Sequence, residues 1–261
     1  MGDNAIILET INLTKKFGGL VAVNNVSINV KRNTVTMLMG PNGAGKTTLV
    51  NICTGVLKPD FGKVYFNPHN DDNKKLDITG WPPHKVYRSG FVRTFQIPQP
   101  FLGLTVLENV LVALGGRGEN PWIAPLRRTW IKEEEEKIKK AFKILRLVKL
   151  DSYWDYEAYR LGAGQLKMLE LARALATGAK LIALDEPIGG TDPAYASEIF
   201  KHIKDIVSKI DVTFLVIEHR IDIALPYADY VYVMDKGQVI AEGTPNEVTK
   251  NSRVAQVYLG E

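Results

Sequence analysis

The sequence predicts an α/β fold: a parallel sheet at the core, with a mostly helical stretch inserted near the middle, about residues 97–170. Three observations point there. The runs Thr34–Met39, Leu181–Leu184 and Thr213–Ile217 are short, continuous and apolar, as strands buried on both faces are. Helical patterns follow the first two, at Lys46–Thr54 and from Asp192 to about Ile210. Between these α/β segments, Glu133–Lys149 carries charge and apolar residues at helical spacing.

The elements follow in order. Ile6–Ile11 and Val26–Val30 read as strands, separated by a Gly18-Gly19 turn. Gly40–Gly45 is a glycine-rich loop between the strand Thr34–Met39 and the first helix. Lys58-Pro59-Asp60 and Gly62 mark a turn before a strand at Lys63–Phe66, and the polar stretch 67–77 reads as a loop. A short helix ends within Val86–Gly90, and Phe91–Phe95 is a strand candidate. Thr105-x-x-Glu108 is a capping-box pattern opening an apolar helix to Leu114. Residues 115–130, rich in Gly, Pro, Arg and Trp, read as an insertion whose Arg117, Arg127, Arg128, Trp122 and Trp130 suit a solvated or membrane-proximal surface. In Glu133–Lys149, Ile138, Phe142, Leu145 and Val148 form the apolar stripe, and Glu133/Lys137, Glu135/Lys139 and Glu136/Lys140 are spaced for ion pairs. Gln165–Thr177 is a helix, and Asp192-Pro193 pairs an N-cap with proline at the first helical position. Tyr230–Met234 and Val239–Ala241 flank a turn at Asp235-Lys236-Gly237, and Thr244-Pro245-x-Glu247 starts a short helix.

Composition narrows the class. The 261 residues, 45% hydrophobic and 24% charged, suffice for a sizeable core and exclude disorder, collagen and coiled coil for the whole chain. Lys plus Arg (33) against Asp plus Glu (29) gives +4, too little to argue for a nucleic-acid partner, and none is expected. A single cysteine, Cys53, excludes an internal disulfide and makes a reducing compartment the expectation. The start carries Asp3 and Glu9 without a basic head and apolar run, so no signal peptide is expected, and Ile6 breaks the myristoylation pattern. The apolar runs fall far short of the roughly 20 residues that span a bilayer.

Gly40-Pro41-Asn42-Gly43-Ala44-Gly45-Lys46-Thr47, followed by Thr48, fits G-x-x-x-x-G-K-[ST]. The glycines let successive N–H groups turn towards phosphate oxygens, and a helix N-terminus then faces the anion. In such a loop Lys46 reaches the terminal phosphates and the Thr47 hydroxyl ligates Mg²⁺. The four restricted positions would match by chance in a chain this long on the order of one time in a hundred. Leu181–Leu184 ends in Asp185-Glu186, two carboxylates where parallel sheets bind ligands. Asp185 suits Mg²⁺, and Glu186 suits a general base on the attacking water.

Arg160-Leu161-Gly162-Ala163-Gly164-Gln165 resembles the L-S-G-G-Q signature of the ATP-binding cassette (ABC) ATPases. The other elements of that family occur in order. Phe17 falls at the adenine-stacking aromatic, Gln96 in Arg93-Thr94-Phe95-Gln96 at the Gln loop, Gly189-Gly190-Thr191-Asp192 at the D-loop, and His219 at the switch histidine. His69, His84 and His202 match nothing and read as structural. The resemblance implies a phosphate-loop NTPase core with a mixed or parallel sheet, an N-terminal antiparallel β part and an inserted helical subdomain. All of it forms a single ABC ATPase domain, with the core at 1–96 and 178–261 and the helical part at 97–177.

It also implies a Mg²⁺-dependent ATPase working as a head-to-tail pair. Each ATP then lies between the loop 42–48 and Phe17 of one chain and Gly162, Ala163, Gly164, Gln165 and Asp192 of the other. Gln96 would join Thr47 and Asp185 at the cation, and Lys46, Gln96, Glu186 and His219 would form the catalytic set. The family serine is Gly162 here, which removes a hydroxyl donor to the γ-phosphate and implies a weaker but working ATPase.

Val92–Gln96, Ala241–Pro245 and Val257–Glu261 further resemble the larger ATPase subunit of branched-chain amino-acid uptake systems. That implies a like or unlike ATPase partner, two transmembrane permease subunits, an extracytoplasmic solute-binding protein acting indirectly, and a peripheral place on the cytoplasmic membrane face. Ile97–Leu102, apolar with two prolines, would line the groove for the membrane partner. The other readings are a soluble ABC ATPase outside transport, of the iron–sulfur assembly kind, and a nucleotide switch with little turnover.

Overall fold

The computed structural model describes residues 5–115 and 127–259. They fall into two compact units: residues up to Gln96 with Lys180–Gly189 and everything from Ala196, and Ile97–Ala179 with Gly190–Tyr195.

The first unit holds two sheets. In the antiparallel one, β1 (Ile6–Phe17) pairs with β2 (Leu20–Val26), β3 (Asn29–Lys31) and β5 (Phe61–Phe66), and β5 carries the two-residue β6 (Leu76–Asp77). The second is six-stranded. Its order is β11 (Gln238–Gly243), β10 (Tyr230–Asp235), β4 (Val35–Met39), β9 (Thr213–Glu218), β8 (Leu181–Asp185) and β7 (Phe91–Arg93). All its neighbours are parallel except the β10–β11 hairpin. Every residue of β4, β8 and β9 is buried, which is why these segments read as unbroken apolar runs rather than alternating ones. Helix α1 (Lys46–Cys53) packs Leu49, Val50, Ile52 and Cys53 into the core that joins both sheets. Burial pushes the Cys53 thiol up to about 12, so it behaves as a small apolar group. Helix α2 (Pro83–Arg88) precedes β7, and α7 (Ile221–Ala224), α8 (Pro245–Thr249) and α9 (Ser252–Leu259) complete the C-terminal part.

The second unit is helical: α3 (Val106–Leu114), α4 (Arg127–Leu147) and α5 (Ala163–Ala176). The capping box forms as the sequence predicts. Thr105 Oγ1 accepts from the Glu108 N–H at 3.2 Å, and Glu108 Oε2 accepts from the Thr105 N–H at 2.8 Å. The same box opens α8, where Glu247 Oε2 accepts from the Thr244 N–H at 2.7 Å. Helix α6 (Pro193–Lys209) starts directly after Asp192, as the Asp-Pro pair predicts.

Several expectations need correction. Leu20–Val26 is a strand that Asn24 and Asn25 disguise; Asn25 takes a left-handed φ of 55° at an irregularity in the ladder. The loop 67–77 contains a 3₁₀ turn at Asp72–Lys74 and β6. Helix α4 begins at Arg127, inside the expected insertion, and the rest of that insertion, 116–126, lies outside the described residues, as do the side chains of Arg127, Arg128 and Trp130. Ile138 of the expected stripe is 40% exposed, while Ala141, Ile144, Leu145 and Val148 are buried. Along α4, Glu134–Lys137 at 2.7 Å and Glu136–Lys139 at 2.9 Å are ion pairs three residues apart, besides the four-residue spacings read from the sequence. Both spacings bring side chains together on a helix surface for a few tenths of a kcal/mol, so the choice between them carries little energy. Among the described residues no helix is long and apolar enough to cross a membrane.

Candidate nucleotide-binding and hydrolytic site

The site lies at the C-terminal ends of the parallel strands in the first unit. Strand β4 runs into the loop 40–45, which must fold back tightly before α1 starts. Gly40 has φ +149°, and a Cβ there would sit 2.2 Å from the Met234 carbonyl oxygen. Gly45 has φ +98°, and a Cβ there would sit 2.2 Å from the Ala22 carbonyl oxygen. Only glycine meets both demands. The first N–H groups of α1 have no partner within the helix, and no side chain caps them, which leaves them for an anion. Lys46 Nζ donates to the carbonyls of Gly40 (2.7 Å) and Pro41 (2.9 Å), folding the side chain back over the loop. Burial lowers the Lys46 pKa, against the opposing fields of Glu186, Asp185 and Glu218.

A cavity of about 480 Å³ opens above this loop. Phe17, Asn42, Gly43, Ala44, Gly45, Lys46, Thr47, Thr48 and Glu186 line it, all expected from the sequence. Its size falls within the range of small-molecule sites. Phe17 is 46% exposed, with the Lys15 ammonium 5.6 Å from its ring centre, so one aromatic face is available for stacking. Sequence reasoning missed the opposite wall. Val21, Ala22, Lys236 and Gly237 also line the cavity. The turn 235–237 is held there by the Gly237 N–H, which donates to Ala44 O at 3.0 Å, and by Gly237 O, which accepts from the Asn24 N–H at 2.8 Å. The tight Asp-Lys-Gly turn was the available signal, but only sheet order brings it to the loop.

The acidic strand end is assembled with the other hydrolytic candidates. Glu186 has φ +48°, an uncommon left-handed conformation for a side-chain-bearing residue. Its Oε2 accepts from Gln96 Nε2 at 2.7 Å, and its Oε1 lies 3.4 Å from His219 Nδ1. Sequence-distant Gln96, Glu186 and His219 thus meet at one carboxylate. Asp185 is buried at the end of β8 and takes a guanidinium contact from Arg93 at 2.5 Å. Glu218, also missed, is fully buried beside His219; its oxygens accept from the Ile188 N–H at 3.4 Å and the His219 N–H at 3.2 Å, while burial raises its pKa.

The signature residues lie in the second unit, with Asp192. Gly162 and Ala163 are exposed at the start of α5, and the Gly162 N–H donates to Gln165 Oε1 at 3.0 Å. Gly162 has no side chain to return the bond, so the capping box is half made. Gly164 lies under Tyr195: a Cβ would come within 1.9 Å of its ring. The chain continues from Gln96 into Ile97, Phe101 and Leu102, which are 74%, 48% and 53% exposed. Arg173 braces this stretch, stacking 4.9 Å from the Phe101 ring centre and donating to Gln99 O at 2.7 Å.

A glycine-rich anion loop at the turn from β4 into α1, with Lys46 and Thr47 opening that helix and Asp185 and Glu186 at the end of the parallel strand β8, defines a nucleoside-triphosphate-binding ATPase core. Known proteins agree. The ABC transporter family model matches residues 23–189, and a model described as "Branched-chain amino acid ATP-binding cassette transporter" matches 238–261. The chain is 48% identical to a protein of Archaeoglobus fulgidus named "Probable branched-chain amino acid transport ATP-binding protein LivG", over 97% of this chain and 95% of that one. It is 47% identical to a protein of the same name from Methanocaldococcus jannaschii, over all of both chains. It is similar, at 45% identity and a TM-score of 0.82, to the crystal structure of the ADP conformation of an ATP-binding cassette of an ABC transporter, covering 98% of this chain and 99% of that one. The chain belongs to the ABC transporter family, as one of its nucleotide-binding ATPase subunits.

Proposed function

We propose that this chain energises uptake of branched-chain amino acids or related small solutes, as the ATP-hydrolysing subunit of an ABC importer. The observation that carries the hydrolytic part is the meeting of Gln96, Glu186 and His219 beside the cavity of the phosphate loop. The solute class rests on the names and extent of the relatives.

In this reading Phe17 stacks on the adenine, and the N–H groups from Asn42 to Thr48 hold the phosphates. Lys46 turns from its two carbonyl partners to the terminal phosphates. Among the described residues no group of three His, Cys, Asp or Glu side chains could hold a metal alone. The donors Thr47, Gln96 and Asp185 supply hard oxygens, which suit Mg²⁺ held jointly with phosphate oxygens. When bound, Mg²⁺ neutralises charge developing on the phosphates. Glu186 accepts a proton from the attacking water, and His219 steadies the γ-phosphate. Gly162, Ala163, Gly164, Gln165 and Asp192 act on the ATP of a second ATPase subunit. A dimeric cassette bound to ADP and phosphate, 25% identical with a TM-score of 0.71, supports pairing of this kind. Ile97, Phe101 and Leu102 form the apolar patch for a permease subunit at the cytoplasmic membrane face.

The test is reconstitution with the two permease subunits and the solute-binding protein in vesicles. ATP hydrolysis should rise when leucine-loaded binding protein is present, and Glu186→Gln should reduce it to the blank. Equal rates for wild type and Glu186→Gln would reject the hydrolytic assignment. Hydrolysis indifferent to every branched-chain amino acid and to small amides related to them would reject the solute class.

A further inference from the structure

Asp185, proposed above as a cation ligand, already has a cation in the fold. Arg93 at the end of β7 pairs in register with Ala183 of β8, and Asp185, two residues further, shares that face. One terminal nitrogen of Arg93 donates to Asp185 Oδ2 at 2.5 Å, and the other donates to Asn51 Oδ1 on α1. The two charged side chains are 13% and 8% exposed. The pair is not a fully satisfied strut, because Arg93 Nε is buried without a hydrogen-bond partner. A strut that served packing alone would be expected to satisfy that donor.

We propose that Arg93 is the internal counter-ion of the cation site: it competes with a divalent cation for Asp185 and keeps the site's own cation affinity low. The proposal rests on Asp185 as a cation ligand. The guanidinium claims one of the two carboxylate oxygens and repels a second positive charge at the other. In a half-dry pocket such repulsion weakens cation binding on the order of tenfold or more. A divalent cation is then held well only when nucleotide phosphates contribute ligands, and it leaves when they do. Asn51 keeps the guanidinium in place, and Gln96, three residues beyond Arg93, ties the same segment to Glu186.

The test is Mn²⁺ binding to the full-length protein–ADP complex, read by electron paramagnetic resonance of free Mn²⁺, with ADP affinity in EDTA measured in parallel. Arg93→Met should bind Mn²⁺ about tenfold more tightly, with metal-free ADP affinity unchanged. Arg93→Gln, neutral but polar, should do the same and covers the case where the Met variant fails to fold. Arg93→Lys, which keeps the charge, should stay near wild type. Unchanged or weaker Mn²⁺ binding in both neutral variants overturns the counter-ion. Asp185→Asn separates the two claims. If it weakens Mn²⁺ binding while the Arg93 variants do not tighten it, only the counter-ion fails. If it has no effect, the cation role of Asp185 and the counter-ion fall together.

Discussion

Restoring a serine at position 162 should strengthen ATP-driven pairing without materially changing the fold's stability, and the structure separates the two effects. Gly162 has φ −67° and ψ 162°, open to any residue, and a Cβ there meets nothing nearer than Gln165 Oε1 at 3.8 Å. Serine therefore enters without strain. Within the chain it completes the half-made capping box, and serine exceeds glycine at an N-cap by only a few tenths of a kcal/mol. That moves the melting temperature of a chain this size by about 1 °C. Across a pair, on the proposed reading, the hydroxyl adds one bond to a charged phosphate at each site, about 1.5–3 kcal/mol. This corresponds to roughly 10- to 150-fold per site. The assay is light scattering with size exclusion across a concentration series, with and without ATP, in Glu186→Gln to prevent turnover. The expected result is an ATP-dependent dimer for Gly162→Ser at a concentration at least tenfold lower than for the parent, with melting in nucleotide-free buffer shifted by about 1 °C or less. An unchanged dimerisation midpoint and unchanged turnover in the Glu186-intact protein would refute the reasoning that the hydroxyl matters.

Other consequences can be measured alongside. Phe17→Ala should weaken ADP binding about 5- to 150-fold while leaving pyrophosphate binding unchanged, since stacking on a base is worth about 1–3 kcal/mol; calorimetry with both ligands checks it. Gly45→Ala forces a side chain into φ +98° and against Ala22 O, so fluorescent-nucleotide binding should be lost, with destabilisation on the order of 1–3 kcal/mol or more in urea melts. Gly164→Ala should displace Tyr195 and loosen the signature helix, seen as faster amide exchange over α5. The cap bonds at Thr105 and Thr244 hold the carboxyls of Glu108 and Glu247 below their ordinary pKa. Their folded pKa is depressed, so their stabilisation is present above the ordinary value near 4.5 and fades as pH falls through the folded value. Acid melts of Glu108→Gln should accordingly show a shallower loss than wild type, and identical slopes would contradict this.

What the sequence made legible was whatever a short stretch of chain specifies by itself. The loop 40–47 needs glycines at fixed positions, β4, β8 and β9 need unbroken apolar runs, and the boxes at Thr105 and Thr244 need a carboxylate three residues on; each leaves a local imprint. Features made by sheet order leave none. Lys236 and Gly237 reach the cavity because β10 lies beside β4 and carries its hairpin turn past the phosphate loop. Arg93 meets Asp185 only because β7 and β8 are neighbours in a given register. Strand β2 stayed hidden because its exposed neighbours and paired asparagines break the apolar alternation, while its place is set by pairing with β1. In α4 the exposed charges carry too little energy to fix one partner over another.

The conformation of Glu186 bears on how the proposed chemistry is held in check. A left-handed glutamate at the end of β8 costs energy that a relaxed strand exit would avoid. The turn is fixed on both sides: the Glu186 N–H donates to Ile217 O at 3.0 Å, and Glu186 O accepts from the Gly189 N–H at 3.0 Å. The turned carboxylate places one oxygen on Gln96 and the other beside His219. Gln96 takes an acceptor position on one carboxylate oxygen and His219 flanks the other, so an attacking water has to share Glu186 with both. On the proposed roles, Gln96 must leave Glu186 to serve the cation, and His219 must turn to the γ-phosphate. Nucleotide binding and the freeing of the base then become one event, which ties hydrolysis to a filled site and restrains idle turnover.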